Sequence, residues 1–179
     1  MLRFFVTFVV LQVALFAAEL TPWAQQYFVV PWTDAIATIS AWLLTLFDPN
    51  VAAAGKVLRS TANGFAVSIE AGCNGIEATI ALIAAIFAFP ASWRDRLIGL
   101  AAGIVAIQGL NIVRVISLFY LGQWSMKAFD WAHLYVWQAL IMLDVLVVWL
   151  LWVRMLPRDR ATGGGPSGPA GGAPAPASA

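Results

Sequence analysis

Charge is what this chain has least of. Asp, Glu, Lys and Arg make up 11% of its 179 residues, against about 25% in ordinary soluble domains. A water-soluble globule of this size would lack the charge to cover its surface, so a soluble enzyme is all but excluded. The net charge of +1 gives no support to a nucleic-acid-binding surface. A single Cys makes no intrachain disulfide and no cysteine-based metal site, and a single His makes no multi-His site. No phosphate-binding glycine loop, glycosidase-type carboxylate pair, haem motif or flavin motif is present, so no cofactor is expected. What remains is apolar: 61% of residues are hydrophobic and the mean hydropathy is +0.83. Nine Trp and eleven Phe suit a chain with side chains at bilayer interfaces.

Long apolar runs follow from that composition. A spanning helix needs about 20 mostly apolar residues, and residues 4–20, 74–90, 97–120 and 133–155 supply four such runs. A fifth stretch, 31–47, carries Asp34, Thr38 and Thr45 on one helical face and Ile36, Ile39, Leu43 and Phe47 on another. It reads equally as a span and as an amphipathic helix lying in the interface. The first run has Glu19 where a signal-peptide cleavage region should be, so it reads as an uncleaved span. The expected fold class is therefore an all-α polytopic membrane protein with four or five transmembrane helices. Residues 1–156 form the membrane-embedded domain. Residues 157–179, rich in Gly, Pro and Ala, read as a disordered cytoplasmic tail.

Lys and Arg set the orientation. Four spans with the N-terminus inside place Arg3, Arg94, Arg96, Arg154, Arg158 and Arg160 inside, and Lys56, Arg59 and Lys127 outside. A fifth span at 31–47 moves the N-terminus outside but leaves everything after residue 48 as it was. Either way 48–73 and 121–132 face outward. Within the first of these loops, Asn63-Gly64 is a type I′ hairpin signal, because both central positions of that turn need positive φ. Phe65, Val67 and Ile69 alternate after it, so a small β-hairpin over 57–70 is expected just before Cys73.

The reactive side chains then converge. Cys73 begins the second run, Arg114 lies six residues before the outer end of the third, and His133 begins the last. The only Cys, the only His and the only Arg in the interior of a span thus fall at one membrane face. Each has an ordinary alternative. A lone membrane Cys is usually a small buried hydrophobe, and an interfacial His is often just a satisfied polar group. A buried Arg is a functional hypothesis by default, given its insertion cost of roughly 2.5–3.5 kcal/mol. Gly72 and Gly75 flank the Cys at a strand-to-helix junction, where the helix dipole should lower the thiol pKa. Glu77 sits one turn deeper and could pair with Arg114, either as a structural ion pair or to hold the guanidinium beside Cys73. Asn111 could brace Arg114. Asp130 could orient the His133 ring or serve as a helix N-cap. Gln108 and Asp144 read as a buried polar contact. A Cys/His/Arg set suits acyl transfer: a thiol nucleophile, a proton shuttle and an oxyanion donor. A non-enzymatic assembly or export factor, and a small transporter subunit, are the competing readings.

The segments EAGCNGIEA, NIVRV and DWAH together resemble the three signatures of the exosortase/archaeosortase family, over roughly residues 50–155. The resemblance implies a polytopic cysteine transpeptidase of the bacterial inner membrane, working on the extracytoplasmic face with Cys73, Arg114 and His133 as its catalytic residues. It implies substrates that are secreted proteins with a C-terminal motif, a transmembrane helix and a basic cluster, passed to a surface acceptor. Asn74 stands where the family often has Ser, and many members carry more spans. The short length resembles the exosortase H form.

Overall fold

The computed structural model describes residues 2–156; the tail expectation for 157–179 lies outside them. Helix α1 runs over Leu2–Glu19, α2 over Pro22–Thr45, α3 over Ile76–Ala88, α4 over Trp93–Trp124 and α5 over Met126–Met155. Between α2 and α3 lies an antiparallel meander of β1 (Val51–Ala54), β2 (Val57–Ser60) and β3 (Ala66–Ser68). Among the described residues, α1, α2, α4 and α5 are long and apolar enough to cross a membrane. The molecule is a mostly helical, multi-pass membrane protein.

Contacts between the helix ends orient the bundle. At one end Phe4 of α1 meets Phe89 and Trp149 at ring centroids of 6.3 and 5.8 Å. There Trp152 Nε1 of α5 donates to the Asp95 carbonyl at 2.9 Å. Gly99 and Gly103 of α4 allow this close approach: a Cβ on Gly99 would stand 2.3 Å from Trp152, and one on Gly103 2.4 Å from Leu82. Small residues spaced four apart are how helices pack where lipid gives no hydrophobic drive between them. Ser92 starts α4 as a reciprocal cap with Asp95. At the other end, Leu15 and Phe16 of α1 pack beside Val29, Ile76 and Ile80, and the sheet sits on the outer turns of α4. Helices α1, α3, α4 and α5 therefore run between the two ends and alternate in direction, with both described termini at the end away from the sheet.

Helix α2 contains most of the 31–47 stretch. It is long enough to span, but both its ends stay at the sheet end. Its start follows α1 directly, while Ile36, Ala37, Ala41 and Leu44 are buried against Val51, Leu58, Ile69, Val115 and Phe119. Trp42, Leu46 and Phe47 remain exposed. Its buried face thus covers the sheet and the outer turns of α4. Helix α3, by contrast, is shorter than the 74–90 run suggests. Its 13 residues rise about 20 Å, well short of a bilayer's hydrocarbon thickness of about 30 Å. The segment before it, 71–75, is irregular loop, so Cys73 precedes the helix.

The hairpin is present but differs from expectation. Asn63 has no positive φ, since only glycines do among the described residues, so the turn is not type I′. Ser60 N–H donates to the Phe65 carbonyl and Gly64 N–H to the Ser60 carbonyl, giving a four-residue loop with Gly64 at φ +75°. A third strand, β1, precedes it through a Gly55-Lys56 turn, with Ala54 facing Val57. Val51-Ala-Ala-Ala carries no alternation of polarity, and so gave no strand signal. Phe65 lies on Phe119 at 5.9 Å and Asn63 Nδ2 donates to Gln123 Oε1 at 2.8 Å, which docks the sheet on the tip of α4.

Candidate active site

The loop bearing Cys73 is held from four sides. Cys73 N–H donates to the Glu70 carbonyl at 2.9 Å, closing a turn after β3. Gly72 and Gly75 sit at φ +82° and +74°, a conformation L side chains rarely adopt. Gly75 is doubly constrained, because a Cβ there would lie 2.8 Å from the Gln108 amide. Gln108 Nε2 donates to the Gly75 carbonyl and to Thr79 Oγ1, both at 3.2 Å. Asn74 is 1% exposed; its Nδ2 donates to Thr33 Oγ1 at 3.1 Å, and its Oδ1 accepts from Ile76 N–H at 3.1 Å. Trp32 Nε1 donates to the Asn74 carbonyl at 3.3 Å. Helix α2 thus pins the loop. Neither Trp32 nor Thr33 stands out in the sequence, since nothing there shows that α2 folds back over Cys73.

Arg114 comes up from α4 beneath this loop. It is 2% exposed and sits ten residues before Trp124 ends the helix. That is about 15 Å below the tip, deeper than the apolar run alone suggests. Its Nη1 donates to the Gly72 carbonyl at 3.0 Å and its Nη2 to Cys73 Sγ at 3.4 Å. His133 Nε2 lies 3.1 Å from the same sulfur. His133 belongs to a π-helical turn, Ala132–Val136, inside α5. Such turns insert an extra residue into the helix and often mark functional positions. Phe129 packs on the ring at 5.6 Å. The structure therefore brings Cys73, Arg114 and His133 into direct contact.

The supporting residues are arranged differently from the sequence expectation. Glu77 makes no ion pair with Arg114; among the described residues the ion pair is Lys56–Glu70. Glu77 instead accepts from Gly72 N–H, so both backbone groups of Gly72 are held, the N–H by the carboxylate and the carbonyl by the guanidinium. Asn111 does not brace Arg114: it is fully buried, and neither its Nδ2 nor its Oδ1 has a partner. Asp130 is exposed and makes no hydrogen bond to His133, and Ser125 is the cap that starts α5. Gln108 serves the Cys loop and does not pair with Asp144.

The helix dipole does not activate the thiol either. Asn74 Oδ1 takes the first free N–H of α3, and Gly75, two residues past Cys73, is the N-cap. Burial pushes the Cys73 thiol above its ordinary pKa, with Arg114 the main opposing influence. Burial thus favours the neutral thiol, with an imidazole in hydrogen-bond reach. Alkylation of Cys73 by a neutral reagent should rise with pH through a midpoint above that of an ordinary thiol, since only the thiolate reacts. Arg114→Gln should move that midpoint higher still, because it removes the cation that favours thiolate. A downward move would contradict this electrostatic account.

Two cavities meet at the site. One of about 70 Å³, between β3, α4 and α5, is lined by Ser68, Glu70, Cys73, Arg114, Phe129 and His133. The other, of about 710 Å³, opens between α1 and α5 over α3 and reaches Gly72 and Arg114. The family model of the transmembrane exosortase matches residues 3–152, which include all three converging residues. The chain belongs to the transmembrane exosortase family. No curated protein and no solved structure matches it. In this exosortase the match runs from α1 to the last turns of α5, so the groove walls lie within the matched region along with the site.

Proposed function

We propose that this exosortase is a cysteine transpeptidase that cleaves the C-terminal sorting signal of secreted proteins and passes the new carboxyl end to a surface acceptor. The observation that carries the reading is one sulfur in contact with both an imidazole and a guanidinium, 3.1 and 3.4 Å away. With Nδ1 protonated, Nε2 of His133 takes the Cys73 proton as sulfur attacks the scissile carbonyl. Arg114 donates to the oxyanion, and its Nε–H, buried and unpartnered, is a donor still free. In so dry a site such a bond is worth more than in water. Collapse breaks the C–N bond, His133 protonates the leaving amine, and the substrate remains on Cys73 as a thioester. An incoming amine, hydroxyl or water loses its proton to His133 and releases the product.

The positive-inside count supports an extracytoplasmic site. Arg3, Arg94, Arg96 and Arg154 lie at the end away from the sheet, and Lys56, Arg59 and Lys127 at the sheet end. The host membrane is then the bacterial inner membrane. The substrate carries a short motif, a transmembrane helix and a basic cluster at its C-terminus. To test this, a secreted protein with such an extension is co-expressed with the enzyme. Wild-type enzyme should shorten it by the helix, and His133→Ala should do so about 10²–10⁴-fold more slowly. Unshortened substrate beside folded wild-type enzyme contradicts the proposal and favours a non-enzymatic assembly role.

A further inference from the structure

We infer that the groove between α1 and α5 is where an apolar transmembrane helix of the substrate docks, with its N-terminal turn against Asn111. This rests on the function proposed above and adds where the membrane segment of the substrate sits.

The groove is polar at one end and apolar at the other. Near Cys73 it is lined by Glu77, Asn111 and Arg114. Toward the opposite end it is lined by Phe8, Val145 and Trp149. Its inner end is closed by the ring contact of Phe4 with Trp149. From Phe4 to Phe16, both lining residues of α1, the helix rises about 18 Å, which corresponds to about 12 helical residues of a neighbour. A helix backbone with side chains is about 10 Å across, so that length of helix fills about 1,400 Å³. The groove's volume of about 710 Å³ is of the same order, so it seats part of a helix's girth and leaves the rest to lipid. Ala78, Ala81 and Ala85 of α3 form the floor, and small residues at that spacing let two helix backbones approach closely.

Asn111 points to what fills the groove. Its amide is fully buried, lines the groove, and has both donor and acceptor unpaired. A buried amide without partners is costly, and a lipid acyl chain offers it nothing. A helix N-terminus does: once the Asn111 side chain turns into the groove, one of the four free N–H groups donates to Oδ1, and the carbonyl of the residue before the helix accepts from Nδ2. A substrate helix whose C-terminus points away from the sheet brings that first turn beside Asn111. The peptide bond preceding the helix then lies next to Cys73.

The test uses full-length enzyme in membranes with the co-expressed substrate. A photoreactive residue is placed at Ala81 or Met142 in the groove, and at Val105, which is 73% exposed on α4. Ala81 and Met142 should crosslink to the apolar helix of the substrate, and Val105 should not. Adducts with lipid alone, or equal adducts at Val105, would overturn the docking proposal. Crosslinking reads binding and needs no turnover, so it stands apart from the test of cleavage. Ala81→Phe should lower substrate shortening at least tenfold while Cys73 alkylates at the wild-type rate. Normal shortening by Ala81→Phe defeats the docking site and leaves the transpeptidase reading intact. Asn111→Leu removes the unpaired amide at similar volume, so its Tm should not fall, yet shortening should drop at least tenfold. Unchanged shortening by that variant defeats the role of Asn111.

Discussion

Cys73→Ala is expected to stop substrate shortening altogether, a loss of at least about 10⁴-fold, as happens when an enzyme loses its nucleophile. The loss should be chemical and not structural. Cys73 contributes its sulfur to contacts with His133 and Arg114, but the loop around it is held by others: Asn74 to Thr33, Gln108 to Gly75, and Glu77 to Gly72. Thermal unfolding in detergent should therefore change little, and the substrate should still crosslink in the groove. Cys73→Ser keeps the shape but offers a far weaker nucleophile, so it too should be severely impaired. If Cys73→Ala shortened substrate at the wild-type rate, the sulfur would be packing only, and the assembly-factor reading would gain.

Arg114→Lys is the second large effect. Lysine keeps the charge but not the planar fork. In the structure two different nitrogens of Arg114 serve two different acceptors, the Gly72 carbonyl and Sγ of Cys73. A single ammonium on a flexible stem cannot reproduce both while also facing an oxyanion. Shortening should fall about 10²-fold or more, the size of losing one preorganised oxyanion donor. The charge that Lys retains separates the two roles. The thiol titration should shift less in Arg114→Lys than in Arg114→Gln, although both lose turnover. Wild-type turnover in Arg114→Lys would mean that the guanidinium acts only as a counter-charge.

The convergence of Cys73, Arg114 and His133 was legible because helix positions translate into depth. One Cys, one His and one Arg in the interior of an apolar run left no ambiguity about which ones to place. The alternation of Phe65, Val67 and Ile69 likewise marked the inward face of β3, where Ile69 is 2% exposed. What the sequence hid depends on contacts distant along the chain. Hydrophobicity alone could not say whether 31–47 crosses the membrane, because the face it buries meets a sheet and not lipid. Glu77 and Arg114 have the right depth to pair, but each binds the Gly72 backbone, one at its N–H and one at its carbonyl. Gln108 and Asp144 also match in depth, yet depth says nothing of which way a side chain points around its helix. The π-helical turn at Ala132–Val136 has no sequence signal at all, and it sits where His133 turns toward the sulfur.

In the proposed reaction Cys73 carries the substrate as a thioester. The most direct measurement is mass spectrometry of the peptide containing Cys73, taken from enzyme co-expressed with substrate and quenched in acid. His133→Ala should help by slowing release of the intermediate more than its formation when the acceptor is the weaker nucleophile. A hydroxylamine-sensitive adduct is expected on Cys73, with a peptide that ends just before the apolar helix of the substrate. Active enzyme that shortens its substrate while Cys73 stays unmodified at every time of quenching would contradict it.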